Sequence, residues 1–184
     1  MSELQGLIFA AHGRHYLARA DGKVLQCVTR GKKSDVATGD RVRLTATSLD
    51  QAVIEEILPR DTLLYRSDQY KSKLLAANVT QLLMVVATEP SFSDDLISRS
   101  LVAANAAGMT AHLILNKTDL PRPLPAARAK LALYERLGYP IHEVSAKADP
   151  TGTLAVLQPL MSGQSTILIG QSGMGKSSLV NLLV

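Results

Sequence analysis

The sequence predicts an α/β chain in two parts, a small β-barrel followed by a parallel sheet covered by helices. Two observations carry this reading. Between residues 6 and 58, five short apolar runs, several of them alternating with period two, are separated by turn residues. After residue 72, apolar strand-like runs alternate with helical stretches that end at glycine. The first pattern is that of a barrel of half-buried strands, the second that of repeated β-α-β units.

The barrel strands are expected at 6–11, 16–20, 24–29, 41–47 and 52–58. Asp21-Gly22 is a hairpin signal between two of them, and Thr38-Gly39-Asp40 marks another turn. Five short strands over about 55 residues point to a barrel of the OB type. Pro59 and the polar stretch 67–72 read as a linker, which places the boundary near residue 72: an OB-fold at 1–72 and a second domain at 73–184. In the second domain, strands are expected at 82–88, 111–115, 141–144 and 166–169. Helices are expected at 94–107 before Gly108, at 125–137 before Gly138, and near 154–161. Ligand sites in such a sheet lie at the carboxyl ends of the strands.

With 184 residues and 46% hydrophobic content, the chain can bury a substantial core. Its longest apolar run, 82–87, is far short of the roughly 20 residues a membrane span requires. His12, Arg14 and His15 interrupt the apolar stretch 7–11, so no signal-peptide core forms, and the expectation is a cytoplasmic chain without membrane association. Cys27 is the single cysteine, which excludes an internal disulfide and a cysteine-cluster metal site and reads as a small buried hydrophobe. The net charge is +4. Residues 1–75 hold 12 Lys/Arg against 9 Asp/Glu, and residues 76–184 hold 8 against 7, so the excess lies mainly in the first part. Such an imbalance could favour a polyanion or be a solvated mixed-charge face.

The motifs fall at the ends of expected strands. Gly170-Gln171-Ser172-Gly173-Met174-Gly175-Lys176-Ser177-Ser178 fits the phosphate-loop pattern Gly-x-x-x-x-Gly-Lys-Ser, between a strand and a helical stretch at 179–184. Its N–H groups can face phosphate oxygens, Lys176 can reach the β and γ phosphates, and Ser177 is the expected hydroxyl ligand of Mg²⁺. Asn116-Lys117-Thr118-Asp119 follows another strand. Its Asp119 carboxylate can accept from guanine N1–H and the exocyclic amine together. The stem of Lys117 can cover the purine with its ammonium solvated, and Asn116 can bridge the base and the phosphate loop. Ser145-Ala146-Lys147 stands one β-α-β step later, where a backbone N–H would face guanine O6. In ordinary GTPases the phosphate loop precedes the base-selecting motifs, whereas here Asp119 and Ser145 precede Gly170. The second domain therefore reads as a circularly permuted P-loop GTPase domain, with 148–164 joining the former ends.

At this point the chain resembles the circularly permuted small ribosomal subunit biogenesis GTPases, the ribosome small subunit-dependent GTPase A family. The resemblance rests on Asn116 to Asp119, Ser145 to Lys147, the run 170–181, and Ile57-Leu58-Pro59-Arg60 with Gly39-Asp40 in the barrel. It implies GTP binding with Mg²⁺ and hydrolysis to GDP, with Lys176 catalytic and the small (30S) ribosomal subunit as stimulator. It also implies an OB-fold contacting rRNA, action late in subunit maturation, and a monomer. Such proteins continue past the phosphate loop into switch segments and a C-terminal zinc-binding domain. The present chain is therefore expected to hold an incomplete, truncated GTPase domain with an uncovered strand at 166–169 and little hydrolysis alone, zinc belonging only to the missing part. Asp149-Pro150-Thr151-Gly152 matches Asp-x-x-Gly literally but reads as a turn.

Two other readings stay open on the residues. The chain could be an RNA-binding assembly module with vestigial nucleotide binding, its RNA contacts being the cluster Arg30, Lys32, Lys33, Arg41 and Arg43. It could be an ATPase if Asp119 only caps a helix.

Overall fold

A computed structural model describes residues 3–31, 35–67 and 72–183. It divides into two compact units, 1–79 and 80–184.

In the first unit, β1 (Glu3–His12), β2 (His15–Ala20), β3 (Lys23–Thr29), β4 (Arg41–Ala46) and β5 (Gln51–Ile57) close a barrel in the order β1-β2-β3-β5-β4. β1 pairs antiparallel with both β2 and β4, and β3 pairs parallel with β5. The period-two alternation does what it predicts: Ile8, Tyr16, Ala18, Leu25, Cys27, Val42, Leu44 and Ile54 point inward and form the core. Cys27 is buried, and burial pushes its thiol pKa up, as expected of a packing residue.

The boundary near residue 72 is corrected. β6 (Leu63–Ser67) and β7 (Ser72–Ala77) pair antiparallel, so the polar stretch at 67–72 belongs to a hairpin and not to a linker, residues 68–71 lying outside those described. The unit ends at residue 79 because this hairpin is hydrogen-bonded to the barrel's own loop and turn. Ala77 N–H donates to Thr38 O at 2.8 Å, Asn78 Nδ2 donates to Gly39 O at 2.9 Å, and the Thr62 hydroxyl donates to Val79 O at 2.6 Å. Gly39 has φ +92°, and a Cβ there would collide with the Ala77 carbonyl, so the contact demands glycine.

Beside it, Asp40 is 0% exposed. Its carboxylate accepts from Arg60 Nε at 2.7 Å, from Arg60 through a second guanidinium nitrogen at 2.8 Å, and from Ala37 N–H at 2.8 Å. A buried charge is tolerable only with such pairing. This is the physical link between Gly39-Asp40 and Pro59-Arg60.

The second unit is a four-stranded parallel sheet in the order β10-β9-β8-β11. Its elements run β8 (Gln81–Ala87), α1 (Asp94–Ala106), β9 (Thr110–Asn116), α2 (Leu124–Arg136), β10 (Ile141–Glu143), α3 (Pro150–Met161), β11 (Thr166–Ile169) and α4 (Lys176–Leu183). All seven residues of β8 are buried, the mark of a central strand covered on both faces. Burying side chains such as Leu82, Leu83, Leu113, Ile114 and Leu131 contributes about 1.5–3 kcal/mol each. β11, last of the strands in sequence, lies beside β8, the first of this unit, which is the adjacency a permuted order requires.

Two helix boundaries differ from expectation. Asp149-Pro150-Thr151-Gly152 is the start of α3 and not a free turn: the Asp149 side chain caps it by accepting Gly152 N–H at 2.8 Å, and Pro150 opens the first turn. α4 begins at Lys176, ahead of 179, and residue 184 is outside those described. His112 Nδ1 and His142 Nε2 lie 3.1 Å apart on neighbouring strands. Burial lowers both pKa values, and for His112 the adjacent imidazole lowers it further. Among the described residues no helix is long and apolar enough to cross a membrane.

Candidate functional site

Because all four strands of the second unit run parallel, the loops after β8, β9, β10 and β11 emerge on one edge of the sheet. Three of these loops line a cavity of about 560 Å³, formed by Asn116, Lys117, Asp119, Leu120, Ser145, Ala146, Lys147, Ser172, Gly173, Gly175, Lys176, Ser177 and Ser178. The three motifs, separated by as many as 62 positions between Asn116 and Ser178, are thus brought together by strand topology.

Asn116 sits at the centre of the arrangement and is 2% exposed. Its Nδ2 donates to Met174 O at 3.0 Å and its Oδ1 accepts Ala146 N–H at 3.1 Å, so one side chain ties the loop after β11 to the loop after β10. The bond to Met174 is the phosphate-loop half of the expected bridge, and the amide keeps one N–H and one lone pair for a base. Gly175 has φ +87°, and a Cβ there would strike Asn116 Nδ2, so this glycine is required by the asparagine as much as by the turn.

Lys117 is in the left-handed region at φ +62° and is held there from two sides. The Thr88 hydroxyl donates to Lys117 O at 2.8 Å, and Lys117 Nζ donates to Glu89 O and Gly173 O, each at 2.8 Å. The expectation of a freely solvated ammonium is therefore corrected: it spans the loops after β8 and β11. Its stem still lines the cavity. Thr118 turns away from the cavity, its N–H and hydroxyl both donating to Val144 O at 3.2 and 3.1 Å.

Asp119 is exposed, and one carboxylate oxygen accepts the Ser145 hydroxyl. The other has no partner among the described residues, so the group can still accept from a ligand. Ser145 is fixed in turn by its N–H donating to Thr153 Oγ1 at 3.2 Å.

In the loop after β11, Lys176 Nζ donates to Gly170 O and Gln171 O at 2.7 Å each, and Ser177 stands exposed in the first turn of α4. The loop thus combines an ammonium, hydroxyls and a helix N-terminus, a setting that favours anions. Gly170, Gln171 and Met174 do not line the cavity. Gln171 Oε1 accepts Ser93 N–H at 3.0 Å, and Met174 is buried while lending its carbonyl to Asn116.

Leu120, Thr88, Glu89 and Thr153 were missed from sequence. Leu120 adds an apolar wall, and the other three hold the motif residues in place. The capping pair Asp149-Pro150 was the available signal for Thr153, since it sets the first turn of α3 on which Thr153 stands.

The cluster read as an RNA contact has a different appearance in the first unit. Arg30 is paired with Glu55 at 2.9 Å, Arg41 with Asp61 at 2.6 Å, and Arg43 with Glu3 at 3.1 Å and Glu56 at 2.9 Å. Lys32 and Lys33 lie outside the described residues.

Comparison with known proteins agrees with this geometry. A family model described as RsgA GTPase matches residues 57–184. The small ribosomal subunit biogenesis GTPase RsgA of Burkholderia pseudomallei is 59% identical over 182 residues, covering 98% of this chain and 58% of that protein. The crystal structure of YjeQ from Thermotoga maritima superposes with a TM-score of 0.77 at 29% identity, over 99% of this chain and 65% of that one. YloQ, described as a circularly permuted GTPase, gives 0.72 at 29% identity, over 98% and 64%. The chain spans a little under three fifths of the length of the curated relative. A barrel in OB strand order, a permuted parallel sheet and a match over most of the sequence lead to one conclusion: the chain belongs to the RsgA GTPase family.

Proposed function

We propose that the second unit binds a guanine nucleotide with Mg²⁺ and hydrolyses GTP, and that the protein acts in maturation of the small ribosomal subunit. In this reading the subunit stimulates hydrolysis late in its own assembly, and the first unit meets its rRNA. The observation that carries the reading is the convergence on one cavity of Asp119 from the β9 loop, Ser145 to Lys147 from the β10 loop, and the phosphate loop with Lys176 and Ser177. The names of the relatives support the ribosomal part.

The roles follow from the chemistry of each group. Asp119, steadied by Ser145, accepts from guanine N1–H and the exocyclic amine. The Lys117 stem and Leu120 flank the purine, while Lys147 lines the cavity beside its O6 edge. Lys176 exchanges its two loop carbonyls for phosphate oxygens and offsets the charge that develops between β and γ phosphates. The donor that the phosphate loop offers a cation is the Ser177 hydroxyl oxygen, which would hold a hard cation such as Mg²⁺. When bound, Mg²⁺ neutralises phosphate charge.

The test measures displacement of fluorescent GDP by GTP and by ATP, then GTP turnover with and without small subunits. Displacement by GTP but not ATP, with turnover raised by the subunits, is expected. Equal displacement by ATP would make Asp119 a helix cap, and turnover indifferent to subunits would remove the ribosomal role.

A further inference from the structure

Resting on the reading that the second unit binds a guanine nucleotide, we infer that Gln171 is a positioning residue for the phosphates: its side chain fixes the first half of the phosphate loop to the start of α1. The second half of the loop is held by the base-selecting motif. Gly173 O accepts from Lys117, and Met174 O accepts from Asn116. The first half, leaving β11 at Gly170, reaches no motif residue outside the loop in this way. Among the described residues, its side-chain tie to another element is the bond from Ser93 N–H to Gln171 Oε1 at 3.0 Å.

The place of this tie gives it a consequence for the ligand. Gln171 O is one of the two carbonyls on which the Lys176 ammonium rests, the other being Gly170 O. The Gln171 side chain therefore fixes the backbone from which Lys176 turns to a phosphate. The N–H groups of such a loop bind an anion best when they are already aimed at it, because ordering them during binding costs affinity. A loop fixed at its second half alone would bear that cost in its first half.

The receiving end is fixed independently. Ser93 is the N-cap of α1, and its neighbour Phe92 is buried. Lys130 of α2 donates to Phe92 O at 2.9 Å, with its ammonium 4.8 Å from the centre of the Phe92 ring and 3.5 Å from the Asp94 carboxylate. One lysine thus grips the residues on both sides of Ser93, by a hydrogen bond, a cation–π contact and an ion pair. Upstream in the same segment, Glu89 O accepts from Lys117. The loop after β8 is in this way a bracket anchored on α2 and on Lys117, and Gln171 fastens the phosphate loop to it. The role needs an acceptor at the end of a long side chain at position 171 and only a backbone N–H at position 93.

The experiment uses the full chain and measures the affinities of GDP and of guanosine by competition with fluorescent GDP. Their ratio isolates what the phosphates contribute and cancels any change in the base pocket. Gln171→Met, similar in length but without the acceptor, should lower GDP affinity about fivefold, one hydrogen bond being lost, and leave guanosine affinity unchanged. Lys130→Met should lower the ratio less, and should add nothing to Gln171→Met, because the two act along one path. Ser93→Ala keeps the N–H and should lower thermal stability through loss of the cap while leaving the ratio as it was. An unchanged ratio in folded Gln171→Met, or an equal loss for GDP and guanosine, overturns the positioning role while the nucleotide reading stands. An equal fall of the ratio in Ser93→Ala also overturns it, since the effect would then belong to the cap. If the unaltered chain binds GDP no better than guanosine, the nucleotide reading itself falls and the inference with it.

Discussion

Two aspartates show how differently the two units use a carboxylate. Asp40 in the barrel is enclosed, and its carboxylate is saturated by both arms of Arg60 and by a backbone N–H. Asp119 in the sheet unit is exposed, with one oxygen held by Ser145 and the other left open. The first arrangement stabilises the fold and has no capacity for a ligand. The second orients a charged group and leaves acceptor capacity for something outside the chain. The same contrast separates the paired arginines of the barrel from Lys117 and Lys176. Those two ammonium groups rest on backbone carbonyls, and those of Lys176 are ones that a phosphate can displace.

The comparison breaks most visibly at Arg60. Arg60→Ala leaves a buried, uncompensated carboxylate and should cost about 3–5 kcal/mol. Hydrogen exchange should show it in the amides of β1 to β5, with nucleotide affinity unchanged; protection retained there would mean that Asp40 is not held as described. Next comes Asn116→Ala, which orphans the Met174 carbonyl and the Ala146 N–H and should cost about 1–3 kcal/mol. Here GDP affinity should fall at least tenfold, because the loops after β10 and β11 lose their common tie; unchanged affinity would detach the tie from the site.

A smaller effect concerns His112 and His142. Both titrate below their ordinary value near 6.5, so the unfolded chain takes up protons that the folded sheet refuses. Stability should be level above that value and decline from pH 6.5 down to the lower folded values. The loss is at most about 1 kcal/mol given the partial exposure of both rings. Urea unfolding at pH 7 and pH 5 measures it, and His142→Gln should flatten the difference. Smallest is Arg43→Gln, an exposed pair with Glu3 and Glu56, expected to change stability by about 0.2–1 kcal/mol. A larger loss would mean that the barrel's surface pairs behave like its buried one.

Sequence made the barrel strands and the sheet strands legible because burial there follows a local period. The hairpin of β6 and β7 was not legible. Its anchor is the contact of Ala77 and Asn78 with Thr38 and Gly39, nearly forty positions away, while the polar stretch between its strands imitates a linker. The cavity was legible because each motif sits at a strand end, and parallel strands put those ends on one edge. What hid were the partners: Thr88, Glu89 and Thr153 carry no motif of their own and matter through a single hydrogen bond. The carboxylates that occupy Arg30 and Arg43 come from β1 and β5, which only barrel closure brings near.

The most direct test of the central claim compares GDP and xanthosine diphosphate binding in the original chain and in Asp119→Asn. Xanthine carries a carbonyl where guanine carries the exocyclic amine, so an amide at position 119 complements it. The substitution should weaken GDP by about a hundredfold, two charge-assisted hydrogen bonds being lost, and bring xanthosine diphosphate up towards the original GDP affinity. Retained GDP affinity, or loss of both nucleotides in a folded protein, would contradict base recognition by Asp119.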